Sequence, residues 1–110
     1  MIELDLSYLE SITDGDKDFM KELVEIFKGQ VVEYIEEFAV AMEAKDVKTL
    51  GRIAHKAKSS VVVMGLVELA EELNKFEIEA AKGEFLEYFP GYIKNFEEQS
   101  KKAILQLDEL

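Results

Sequence analysis

Apolar residues recur along this chain at steps of three and four, and nowhere do they alternate with period two for long. Met20, Val24, Phe27, Val31, Ile35, Phe38 and Met42 make one unbroken stripe. That spacing predicts a helix from about Lys17 to Ala44 with a single apolar face. A second stripe, Val47, Leu50, Ala54, Ala57, Val61 and Met64, predicts a helix from about Asp46 to Met64. A third, Leu66, Leu69, Leu73, Phe76 and Ala80, runs to near Gly83, and a fourth passes through Phe89, Tyr92, Phe96, Ser100, Ala103, Leu107 and Leu110.

The polar punctuation agrees with these limits. Asp16 follows the turn Thr13-Asp14-Gly15 and is placed to cap the long helix. Gly65 stands where a helix-ending glycine belongs, and Pro90 should start or kink the last helix near its beginning. A short segment from about Asp5 to Ile12, capped by Asp5 or Ser7, adds a small helix at the front. The expected fold is all-α: an antiparallel four-helix bundle with a short extra N-terminal helix, forming a single domain over residues 1–110.

Composition narrows the function classes. The 110 residues are 48% hydrophobic, enough for one core. The net charge of −11 argues against nucleic acid as a partner. With no cysteine there is no disulfide framework and no thiolate metal site, and one histidine cannot supply the paired Glu-x-x-His motifs of a di-iron bundle. The six glycines are isolated, so no phosphate loop of a kinase or nucleotidase is present. No apolar run approaches a membrane span, and the start of the chain does not read as a signal peptide; a soluble, cytoplasmic, monomeric protein is the expectation.

The charge is unevenly spread. From Lys45 to Ser60 there are five cations and one anion, a local balance of +4, against −15 for all other residues. The only histidine, His55, lies inside this stretch. It is one step, about 100°, from the apolar stripe at Ala54 and so leans outward. Lys48, Arg52, Ser59 and Val62 share its face at helical spacing. Lys58 is one turn on, close enough for its ammonium to reach a group carried by the imidazole. Val61, Val62 and Val63 are poor helix formers in a row, and Val62 is expected to be an exposed apolar contact beside the histidine. An exposed histidine on a solvated basic face is common, so from these residues alone its role stays open.

The segment Ala54-His55-Lys56-Ala57-Lys58-Ser59-Ser60 followed by Gly65 resembles the signature of histidine-containing phosphotransfer (HPt) domains, which typically read A-H-x-L-K-G-S-A and then L-G. Leu6-x-x-Leu9, the Gly15-Asp16 turn and the Phe27 region are similar to the family's N-terminal half. Ala57 replaces the usual leucine and Ser59 the usual glycine. The resemblance implies that His55 is the phosphorylated nucleophile and that Lys58 stabilises the phosphoryl group. It also implies partners: receiver domains of response regulators or hybrid histidine kinases. They would dock on Lys48, Arg52, Lys56, Ser59 and Val62. Such a module is a phosphorelay intermediate rather than a turnover enzyme. It needs no cofactor of its own, because Mg²⁺ belongs to the receiver. The alternative is a helical module that binds a receiver or another partner through the same basic helix without carrying phosphate.

Overall fold

A computed structural model describes residues 3–110. It contains α1 (Ser7–Thr13), α2 (Lys17–Glu43), α3 (Val47–Val63), α4 (Val67–Lys82), a 3-10 turn at Leu86–Tyr88, and α5 (Phe89–Leu107). α3 packs on α2 and α4, and α5 closes the ring by packing on α4 and α2. Connections of three residues join α2 to α3 and α3 to α4. Links that short force neighbouring long helices to run antiparallel. The expected all-α bundle is the observed one.

The helix limits follow from their caps. Asp16 accepts from the amides of Asp18 (3.0 Å) and Phe19 (3.2 Å). Asp46 accepts from the Thr49 amide at 3.1 Å and its hydroxyl at 2.6 Å, which starts α3. The first helix corrects the expectation in detail. Its N-cap position is Leu6, which offers no side-chain cap, and the Asp5 carboxylate accepts from the Ser7 amide and hydroxyl instead. The last helix also differs. It ends at Leu107, so Leu110 lies beyond it and is half-exposed rather than on the core stripe. Asp108 and Glu109 put negative charge against the negative end of the helix dipole, which disfavours another turn.

The four stripes meet in one core. Phe38 stacks on Phe76 with ring centroids 5.7 Å apart and meets Phe96 edge-on at 5.7 Å; Phe76 contacts Phe89 at 4.9 Å. Such pairs add to the gain from burial. Ile53 and Tyr34, neither on an expected stripe, are also buried, while Met20, Ile35 and Met42 are only partly so. Ser100 lies on its stripe as expected and is fully buried, but its hydroxyl has no partner. That orphan costs stability without evident compensation.

Two glycines hold the histidine-bearing helix at close quarters with its neighbours. Gly51 faces α4, where a Cβ would stand 3.2 Å from that of Ala80, so α3 and α4 approach closely. Gly65 ends α3 at φ +80°, and its carbonyl accepts from the Asp5 amide at 2.9 Å. A Cβ at Gly65 would overlap the Asp5 backbone. The residue that stops α3 therefore also moors the N-terminal segment. Gly65→Ala should lower the unfolding free energy by upwards of about 2 kcal/mol, since positive φ and a backbone clash add. Urea denaturation followed by circular dichroism checks this; an unchanged midpoint would mean that the N-terminal segment contributes nothing at this contact.

Candidate functional site around His55

α3 distributes its polar side chains among three directions, and the packing of its neighbours decides which. His55 points outward from the α3–α4 seam with 59% of its side chain exposed. Its Nδ1 lies 2.9 Å from Oε2 of Glu77 on α4. The other oxygen of Glu77 accepts from Lys58 Nζ at 2.8 Å, and the same ammonium donates to Asn74 Oδ1 at 3.1 Å. One carboxylate thus bridges the histidine and the lysine.

Lys56 and Ser60 turn the other way, toward α2. Lys56 Nζ is 3.5 Å from Glu37 and sits over the Tyr34 ring, 5.9 Å from its centroid. Ser60 Oγ lies 3.0 Å from the Tyr34 hydroxyl. The remaining members of the expected face stay beside the histidine. Val62 is half-exposed, as expected. Ser59 Oγ donates to the His55 carbonyl at 3.3 Å, folding its hydroxyl back on the helix. Arg52 donates to the Thr49 hydroxyl at 3.1 Å and borders a groove with Lys48.

The bridge determines which ring nitrogen of His55 keeps its lone pair. Burial pushes the Glu77 carboxyl up. The Lys58 hydrogen bond and charge, together with His55, outweigh that and hold it below the usual carboxylate range. Glu77 is therefore ionised at neutral pH and can only accept. In neutral His55 the proton must then sit on Nδ1, which leaves the lone pair on Nε2. Lys58 has three N–H donors, of which Glu77 and Asn74 occupy two. The third is free to meet an anion on the imidazole. Among the described residues no group of three or more His, Cys, Asp or Glu side chains is arranged to hold a metal.

Glu77 and Asn74 were invisible to sequence reasoning, although one signal existed. Glu77 is one step beyond Phe76 on its stripe, just as His55 is one step beyond Ala54 on its own. Residues that flank facing stripes meet at a seam, but only the register of α3 on α4 says which ones meet.

The sequence matches the family model described as "Hpt domain" over residues 22–109. No curated protein matches it in sequence. Among solved structures, the crystal structure of histidine-containing phosphotransfer protein B (HptB) from Pseudomonas aeruginosa PAO1 is similar, with a TM-score of 0.87 and 26% identity. The match covers 96% of this chain and 91% of that one. Among the described residues no helix is long and apolar enough to cross a membrane.

The tautomer can be read directly. In ¹⁵N imidazole spectra of the neutral ring, His55 should show a protonated Nδ1 and a bare Nε2. Glu77→Ala should convert this into a mixture of both tautomers. A parent spectrum that already shows the mixture would mean that the carboxylate does not orient the ring.

Proposed function

This chain belongs to the Hpt domain family, and from that premise we propose that His55 carries a phosphoryl group between the aspartates of receiver domains in a multistep phosphorelay. The observation that supports this most is the Glu77 bond to Nδ1, which leaves an exposed Nε2 lone pair on a rigid helix. Nε2 attacks the phosphorus of an aspartyl phosphate. The N–P bond forms as the P–O bond to the aspartate breaks, and the aspartate leaves as a carboxylate. The ring then carries both the phosphoryl group on Nε2 and the proton on Nδ1, so it is cationic. Glu77 faces that cation and stabilises it. Keeping the proton on Nδ1 also keeps the imidazole a good leaving group, so a second aspartate can take the phosphoryl group by the reverse steps.

Lys58 acts on charge rather than on nucleophilicity. Its free N–H is one turn from the histidine and compensates negative charge on the phosphoryl oxygens in transit. Mg²⁺ and the remaining charge stabilisation belong to the receiver. Ser59 and Val62 form the centre of the docking face, with Lys48 and Arg52 toward its rim. Lys56, paired with Glu37, stands at the edge nearest α2. Much of the rate comes from positioning, which a nucleophile on a packed helix favours.

Mixing the protein with a phosphorylated cognate receiver and Mg²⁺ should label His55. The label should be lost in acid and kept in base, as a phosphoramidate requires. His55→Gln should abolish labelling with helicity unchanged, because an exposed side chain contributes little packing. Labelling that persists in this variant sinks the assignment.

For Lys58→Ala the expected result is transfer slowed about ten- to a hundredfold with the fold intact. Rapid-quench transfer kinetics measure it. Rates equal to the parent's would reduce Lys58 to a structural tie between α3 and α4.

A further inference from the structure

A groove of about 780 Å³ leads away from His55 along the α3–α4 seam toward Gly83. Gly51 and Ala80 make it possible, because larger side chains there would fill it. Three cations line it, Lys48 and Arg52 from α3 and Lys82 from the last turn of α4; the acid in its lining, Glu77 at the histidine end, is already paired with His55 and Lys58. None of the three is in a salt bridge among the described residues, although the Asp46 carboxylate feels the charges of Arg52 and Lys48, whereas Lys56 and Lys58 each have a carboxylate within 3.5 Å. The positive end of α3 and the negative end of α4 lie side by side here and offset one another, so the side chains decide the sign. On a chain of net charge −11, this leaves a cationic groove opening beside the histidine.

We propose that this groove receives an acidic segment of the partner receiver and thereby selects among receivers. The idea rests on the relay function proposed for His55 and adds the chemistry of the partner. Glu77 and Gly83 are six residues apart on α4, so the groove extends about 9 Å beyond the histidine at 1.5 Å per residue. A receiver that presents its aspartate to Nε2 lays the adjoining surface over this length. Carboxylates about 9 Å from the phosphorylated aspartate meet Lys82 and Lys48, while neutral or basic residues there leave these cations unpaired or repelled.

The test uses the full chain and a panel of purified receiver domains with Mg²⁺, with binding measured by titration calorimetry and phosphoryl transfer measured separately. Lys82→Glu should weaken binding of the best receiver about tenfold, and Lys82→Ala about threefold. Lys75→Glu is the control. It lies on another face of α4 among Glu68, Glu71 and Glu72, and should bind like the parent. Circular dichroism verifies that all three variants keep parental helicity. Equal weakening by Lys82→Glu and Lys75→Glu, or none by either, overturns the groove.

The groove and the relay fail differently. Binding that depends on Lys82 without any transfer to His55 upholds the groove and overturns the relay. Transfer with binding indifferent to Lys82 does the reverse. No binding by any receiver of the panel overturns both.

Discussion

Everything at the candidate site depends on how closely α3 and α4 approach. Gly51 lies against Ala80 with no room for an ordinary side chain between them, and this contact fixes the separation and register of the two helices. A carboxylate on a glutamate stem reaches only a few ångströms past its own helix. Had the helices stood apart by the width of a leucine, Glu77 could not have met both His55 and Lys58. The hydrogen bond that selects the ring tautomer is therefore a consequence of apolar packing. The helices approach because the core favours it, and the polar bridge forms where the flanks of two apolar stripes come together.

That bridge also changes how the charge of α3 should be understood. Counted along the chain, the helix is a basic block. Folded, its cations are divided among three environments. Lys56 is drawn to Glu37 and the Tyr34 ring on the α2 side. Lys58 is drawn to Glu77 and Asn74 on the α4 side. Only Lys48 and Arg52 remain on the histidine's own side, and α4 adds Lys82 to them. Positive potential thus lies beside the histidine rather than around it, while the groups nearest the ring form a nearly compensated cluster. Surface charges of this kind steer encounter and orientation, and it is through the association rate that they change binding.

Much of the fold was legible in the sequence because helical periodicity is a local property. The stripes beginning at Met20, Val47, Leu66 and Phe89 each report one buried face, and Asp16, Asp46, Gly65 and Gly83 punctuate them by chemistry that acts within a turn. Where reading failed, the cause was not local. Leu110 continued a period but fell after two acids that end the helix. Tyr34 lay off its stripe, yet is buried with its ring beside Phe96 of α5 and its hydroxyl against Ser60 of α3. Gly65 was readable as a helix stop, whereas its contact with Asp5 joins residues sixty positions apart. At the site, the outward lean of His55 and the exposure of Val62 followed from angle alone. Glu77 and Asn74 required the register of one helix on another, which a chain with 24 acids does not disclose.

In the proposed relay, the anionic partner of His55 bears on transfer in either direction. A neutral hydrogen-bond acceptor at Nδ1 would orient the ring equally well, but would do less for the positive charge that appears on it when Nε2 acquires a phosphoryl group. A carboxylate does both. It must not hold that cation so strongly that the phosphorylated state becomes a trap, and Lys58 provides the limit. Its ammonium takes the other oxygen of the same carboxylate and withdraws part of the charge that Glu77 would otherwise offer to the ring. A shift of one pKa unit corresponds to about 1.4 kcal/mol between protonation states, so modest changes in this balance alter the transfer equilibrium tenfold. A relay works when donor, carrier and acceptor lie within such small differences of one another. A carboxylate shared between His55 and a lysine is a physical means of keeping the proposed carrier in that range.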